Sequence, residues 1–292
     1  MVLDNYRRGR AENLSAHTGD PRLRVIEGDV RDTDSVAAAM AGIEVVLHLA
    51  AQSTVMGAVE DPAYNFATNV AGTFNVLEAA AQCGVRRVVL ASSREVYGDP
   101  IVLPVDEGHP LLPINSYGAS KVACEALCRA FARERGIDTA ILRLANVYGP
   151  RDIDRVIPRW IAQIRSGIDV TVYGGEQVID FIWVGDVVDA FMRAAYWEGA
   201  LPPINVASGT GTKILDLARR IAELTLANAR GPIRLMPGRA MEVTRFIGDP
   251  GRMAQMLGLE PPTDPLAHLR ELIEPLHVDG PAFAPQSLPA TA

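Results

Sequence analysis

Ala91-Ser92-Ser93-Arg94-Glu95-Val96-Tyr97-Gly98 and, after a proline-punctuated loop, Tyr117-Gly118-Ala119-Ser120-Lys121 decide how the rest of the chain is read. The first stretch ends a β-branched approach and the second opens a helical pattern, so Tyr117 and Lys121, four residues apart, project from one helix face. That pairing has a chemical use. A tyrosine hydroxyl ordinarily titrates near pH 10, so a tyrosine base working at neutral pH needs about 4 kcal/mol of preferential phenolate stabilisation. An ammonium one turn away supplies part of it, and Ser93 is placed to share the proton or polarise a substrate oxygen.

Outward from this centre, short apolar runs alternate with helical patterns. Met1-Val2-Leu3-Asp4-Asn5 reads as the end of a buried strand, Leu23 to Ile26 as a strand closed by Glu27-Gly28-Asp29, and Val45 to Leu49 as the next. Asp32 or Thr33 can cap a helix through Met40, and Asp61-Pro62 opens a long one through Asn69, Val76, Leu77 and Ala80 that Gly84 stops. Arg87 to Ala91 is a strand, Ser116 to Arg135 a helix closed by Gly136, and Thr139 to Leu144 a strand. Such alternation predicts an α/β fold, a Rossmann-like doubly wound parallel sheet with helices on both faces. Beyond Gly149-Pro150 the rhythm changes. Helices are expected at 153–166, 186–197, 213–226, near Met253 and at 266–276, with short strands at 170–173, 180–184 and 204–206. The Pro-, Gly- and Arg-rich stretch between Gly231 and Gly251 reads as loops around a cleft. Residues 1–150 are thus expected to form the cofactor-binding domain, 151–277 a mainly substrate-binding part, and 278–292 a disordered tail.

Composition narrows the function classes. The 292 residues are 48% hydrophobic and 22% charged, as in a globular protein, and the net charge of −7 makes nucleic acid an improbable partner. Cys83, Cys124 and Cys128 have no metal-ligand spacing and suit a reducing compartment, so no metal is expected. No apolar run reaches the length of about 20 residues that crosses a bilayer, and a cytoplasmic location is expected.

Asp4-Asn5, Gly28-Asp29, His48-Leu49-Ala50-Ala51, Asn69-Val70-Ala71-Gly72-Thr73, Ser92-Ser93, Tyr117 to Lys121 and Arg143-Leu144-Ala145-Asn146-Val147-Tyr148-Gly149-Pro150 occur in this order. Together they resemble the extended short-chain dehydrogenase/reductase family of nucleotide-sugar epimerases and dehydratases, over about residues 1 to 275. A lone Tyr-x-x-x-Lys would say little. Seven marks in order, each at a strand end or helix start, say much more.

The resemblance implies NAD as cofactor and a nucleotide-diphosphate sugar as substrate. It makes Tyr117 the base, Lys121 the residue that binds the nicotinamide ribose, and Ser93 the hydroxyl partner. Asp4, with Asn5, would take the adenosine ribose hydroxyls and repel a 2′-phosphate, although Arg7 and Arg8 stand close by in sequence. Asp29 and Val30 would meet the adenine. Leu49, Ala50 and Ala51 would let the cofactor approach the backbone, and Asn69 matches the family's helix asparagine. Ser93, Glu95, Asn146 and Arg239 would contact the substrate, with the Arg239 guanidinium on its diphosphate and Arg151 and Arg245 as further candidates. A homodimer is implied, through the helices beginning near Pro62 and Ser116.

The implied reaction is epimerisation through a transient keto-sugar. Dehydratases of the family carry an acid before the glutamate at this place, and elimination needs a general acid, a role Arg94 cannot fill. That disfavours a dehydratase without closing it; a decarboxylase, in which a lone glutamate is expected at position 95, also stays open, as does a protein that binds nucleotide-sugar without turnover. Ile179-Asp180-Phe181 departs from the family, which usually has an arginine before Asp-Phe. The glycine-rich dinucleotide turn should lie about 20 residues before the ribose-binding acid. Asp4 has only three residues before it, and no such glycine motif occurs in the chain. Met1 is therefore expected to be an internal or misassigned start, with about 25 to 30 further residues encoded upstream as the first βα unit.

Overall fold

β-branched runs that are too short to bury both faces alone find partners in register. In a computed structural model that describes residues 1–225, 233–238 and 244–274, Val2–Asp4 (β1) and Val25–Glu27 (β2) pair in parallel with Leu3 opposite Ile26. Thr33–Met40 (α1) begins where the Asp32 carboxylate accepts from the backbone N–H groups of Asp34 and Ser35. Val45–His48 (β3) leads to Val55–Glu60 (α2), a short helix capped by Thr54 that periodicity did not reveal. The long helix expected from Asp61 exists in three joined parts. Pro62–Asn65 (α3) runs through a π-helical segment, Phe66–Ala71, into Gly72–Gln82 (α4). Such a wider turn is common at functional sites, and here it contains Asn69. Arg87–Ser93 (β4), Ser116–Arg135 (α5) and Asp138–Leu144 (β5) then form one βαβ unit.

Asn146–Tyr148 (β6), Val156–Arg165 (α6), Val170–Tyr173 (β7), Val178–Trp183 (β8) and Val184–Tyr196 (α7) follow. Next come Ile204–Val206 (β9), Gly211–Lys213 (β10), Ile214–Thr225 (α8), Ile233–Met236 (β11), Gly251–Leu257 (α9) and Leu269–Ile273 (α10). Two expectations change. The 231–251 stretch is not all loop, because β11 pairs in parallel with β7, and β6 and β10 are three-residue strands either side of β8. Strands this short carry too little pattern to be seen before their partners are known.

The main sheet is parallel and ordered β3-β4-β5-β9, while β1 and β2 form a sheet of their own; among the described residues no strand pair joins the two. Every residue of β4 is buried, as a central parallel strand requires. One face is covered by α1, α4 and α5 around Leu77, Leu90, Cys124 and Phe131. The other is covered by α7 and α9 around Val89, Leu142, Phe191 and Val206. Thus α7 and β9, which lie beyond residue 150, complete the first half's layers. A separate core, with Ile157, Trp160, Phe181, Leu217 and Ile221, joins α6 and α8 to β7 and β8. Among the described residues no helix is long and apolar enough to cross a membrane.

Candidate active site

The carboxyl ends of parallel strands are where such a sheet presents ligands, and β4 ends at Ser92-Ser93. Successive strand residues point oppositely. Ser92 turns inward, its hydroxyl donating to Glu125 Oε1 at 2.6 Å. Glu125 is fully buried and is gripped by the Arg143 guanidinium, Nε to Oε1 at 2.9 Å and Nη2 to Oε2 at 2.8 Å. Arg143 also donates from Nη1 to the Tyr97 hydroxyl at 3.0 Å, which itself donates to Asn205 at 2.6 Å. Burial, aided by the nearby Glu107 and Glu125 carboxylates and opposed by the Arg143 cation, pushes the Tyr97 hydroxyl up to about 12, so it stays a donor. This buried network ties the end of β4 to α5, β5 and β9.

Ser93 Oγ accepts the backbone N–H of Glu95 at 3.2 Å as the chain makes a single 3-10 turn, Arg94–Val96. The first turn of α5 docks on that turn. Asn115 caps the helix by accepting from the Gly118 N–H at 2.8 Å, and a Cβ on Gly118 would stand 2.3 Å from the Glu95 carbonyl oxygen. Only glycine allows this approach, which brings the Tyr117 turn onto the Ser93 turn. Lys121, buried, donates from Nζ to the Ala91 carbonyl at 2.9 Å, and its ammonium lies 5.9 Å from the centre of the Tyr117 ring. The Tyr117 hydroxyl pairs with no described residue. Ser93, Tyr117 and Lys121 are therefore brought to one place, with a cation beside the phenol.

Glu95 is not the solvated loop carboxylate that its sequence position allowed. Its side chain is 7% exposed, and both oxygens are held: Oε1 by Arg94 Nη2 at 2.9 Å and Oε2 by Asn115 Nδ2 at 2.8 Å. Arg94 also donates from Nε to Asn146 Oδ1 at 2.6 Å and lies over the Phe246 ring, while its buried Nη1 has no acceptor among the described residues.

The residues expected to meet the cofactor gather at the ends of β1, β2 and β3. Asp4 Oδ1 accepts from the Tyr6 N–H at 2.7 Å, and a Cβ on Gly9 would meet Asp4 Oδ2 at 2.4 Å, so Gly9 keeps the space beside that carboxylate open. Asn5 donates to Asp29 Oδ2 at 2.8 Å, and the Arg31 fork closes on Asp29, holding its carboxyl well below the usual range. The arginines near Asp4, whose charge would suit a 2′-phosphate, are turned to other uses. Arg8 makes a two-point pair with Asp154, and Arg7 stacks 3.8 Å from the centre of the Tyr64 ring. An acid end-on to a parallel strand, with room kept beside it, fits an adenosine ribose.

After β3, Leu49 is exposed, and Ala50 and Ala51 lead to Gln52. Asn69, 1% exposed, accepts from the Gln52 N–H at 2.7 Å and donates to the Gln52 carbonyl at 3.1 Å. It also donates to Ser120 Oγ and Asn65 Oδ1, each at 2.9 Å. Asn69 thus clamps the backbone of the loop that follows β3. Val30 is likewise buried, against Gly72. Below the site, His48 lies 2.9 Å from Thr73 Oγ1, and burial followed by the nearby Lys121 cation depresses it to about 3, keeping it neutral.

Arg239 lies outside the described residues. Arg151 is committed to the Asn13 carbonyl at 2.7 Å, and Arg245 is exposed beside β8. The residues that sequence reasoning passed over are Asn115 and Glu125. Asn115 had a signal, an Asx residue before a helix start. Glu125 had none, since what defines it are partners 33 and 18 residues away, Ser92 and Arg143.

Residues 1–207 match the NAD dependent epimerase/dehydratase family. The UDP-glucose 4-epimerase of Mycolicibacterium smegmatis is 34% identical over 266 residues, 89% of this chain and 84% of that protein. UDP-glucuronic acid decarboxylase 5 of Arabidopsis thaliana is 31% identical over 270 residues, 89% of this chain and 76% of that one. Among solved structures, dTDP-glucose 4,6-dehydratase from Streptomyces venezuelae with NAD bound aligns with a TM-score of 0.88 and 29% identity, covering 93% of this chain and 85% of that chain.

Proposed function

Because the chain belongs to the NAD-dependent epimerase/dehydratase family and its cofactor is NAD, we propose that it epimerises a nucleotide-diphosphate sugar through a transient keto-sugar. What carries the choice of reaction is Glu95. With both its oxygens hydrogen-bonded to Arg94 and Asn115, the described residues of the site leave one unpartnered proton-transfer group, the Tyr117 hydroxyl. One such group is enough for epimerisation, which moves a single proton off the sugar oxygen and back. Elimination and decarboxylation need a further acid or base.

NAD, when bound, takes a hydride from the sugar carbon and returns it. Asp4 and Asn5 would hold its adenosine ribose, Asp29 and Val30 would border the adenine, the backbone of Leu49, Ala50 and Ala51 would lie along it, and Tyr117 and Lys121 would meet the nicotinamide end. Tyr117 Oη receives the proton of the sugar hydroxyl, Lys121 stabilises the resulting phenolate by its positive charge, and Ser93 Oγ holds the same sugar oxygen in place. Turning the keto-sugar over before the proton and hydride return inverts the centre. Ser93, Asn146 and Arg239 are the substrate contacts of this reading. Two copies pairing through the α3–α4 rod and α5 are part of it too. Phe66 and Phe74 are exposed there, and Phe74 meets Phe131 of α5 edge-on at 5.7 Å. Sedimentation at several concentrations tests that pairing.

The decisive assay incubates the purified protein with NAD and a panel of UDP- and dTDP-hexoses and follows the sugar by proton NMR. Appearance of a single-centre epimer is expected. Binding of a panel member without any epimer would replace the enzyme reading with that of a nucleotide-sugar-binding protein, and a deoxy-keto or pentose product would replace epimerase with dehydratase or decarboxylase.

A further inference from the structure

We infer that Arg94 is a positioning residue that fixes the fate of the keto-sugar by keeping the Glu95 carboxylate from acting as a second base. The inference rests on the epimerase reading and extends it to what the site must prevent. Once a sugar carbon is a ketone, the C–H bonds on the carbons beside it become acidic. A free carboxylate near that carbon would remove such a proton. The C–H electron pair would form a carbon–carbon double bond, and the ketone oxygen would become an enolate held by the Ser93 and Tyr117 hydroxyls. Return of a proton to either face would scramble a second centre.

Glu95 is the carboxylate that the proposed reaction sets beside the keto-sugar. Its backbone N–H is bonded to the Ser93 hydroxyl, and Asn115, which holds its Oε2, caps the helix carrying Tyr117. Its other oxygen belongs to Arg94. The guanidinium is itself braced, by Asn146 through Nε and by the Phe246 ring beneath it, and its Nη1 is buried with no acceptor among the described residues. A residue that pairs Glu95 and orients Asn146 at once gives the pose a purpose. Lysine, a point charge without the fork, could hold Glu95 but would release Asn146.

The test is turnover in D2O with a nucleotide sugar that the wild-type protein converts, reading carbon-bound deuterium in the product by NMR and mass. Wild type is expected to incorporate none, since its hydride never exchanges with solvent. Arg94→Ala is expected to turn over and to incorporate deuterium beside the oxidised carbon at a level about 10²-fold above the detection background, the size of a positioned general base. Arg94→Lys should suppress this wash-in while raising KM through the freed Asn146, and Arg94→Ala/Glu95→Gln should turn over with no wash-in. The inference is overturned if Arg94→Ala turns over without deuterium, if wash-in persists without Glu95, or if Arg94→Ala loses turnover while remaining folded. A wild-type protein that converts no sugar would instead sink the epimerase reading itself, a separate result.

Discussion

The carbonyl oxygen of Glu95 and the α-carbon of Gly118 approach so closely that a Cβ on residue 118 would sit 2.3 Å from that oxygen. The helix bearing the proton-transfer group is thereby seated on the turn bearing its hydroxyl partner. Gly118→Ala must push them apart, because a backbone oxygen cannot yield as a side-chain tip can. The expected outcome is a kcat about 10²-fold lower, as for a displacement near 1 Å at reacting groups, with circular dichroism showing the helices retained.

Tyr117→Phe removes one hydroxyl that no described residue uses, so the melting temperature should stay close to that of the parent. The kcat should fall by roughly 10²–10⁴-fold, the contribution of a positioned acid–base group. A change of less than about tenfold in an epimer assay would mean that another group moves the proton.

His48 has a lowered folded-state value, about 3 against an ordinary 6.5, so between those values the unfolded chain binds more protons than the folded one. Stability is therefore present above pH 6.5 and is lost as pH falls toward 3, by up to about 1.4 kcal/mol per pH unit from this group. Urea denaturation of wild type and His48→Asn at pH 7 and pH 5 measures it: the variant should lose less on acidification. Equal losses would remove His48 from the account.

Glu125 and Arg143 form a buried pair, and breaking such a pair from one side strands a charge. Glu125→Gln is expected to cost about 3–5 kcal/mol, visible as a lower urea midpoint with an unchanged slope. Arg143, whose charged form the Glu125 carboxylate favours against its burial, would have no means of shedding that charge.

Asn69→Ala unpairs both backbone groups of Gln52 on the loop after β3. NAD titration followed by tryptophan fluorescence should show weaker binding by about 1–3 kcal/mol, the cost of buried groups left unsatisfied. Unaltered binding with lowered stability would confine Asn69 to the fold.

The alternation of β-branched runs with capped helices was enough for the chain itself to specify a doubly wound parallel sheet. Hydrophobic period and turn chemistry are local, and β4, α5 and β5 carry both strongly. The four-residue spacing of Tyr117 and Lys121 was equally legible, since a helix converts spacing directly into a shared face. Tertiary structure alone decided what Glu95 and Asn69 do. The sequence marks both as candidates, but their partners appear only when distant parts of the chain meet: Asn115 and Asn146 come to the 3-10 turn after β4 from 20 and 52 residues away, and a π-helical turn swings Asn69 onto Gln52. A carboxylate's chemistry depends on what holds its two oxygens, and those partners are set by how elements dock, which no local pattern records. Ser93, Tyr117 and Lys121 were legible in order along the chain, while the grip of Arg94 and Asn115 on Glu95 exists only in space.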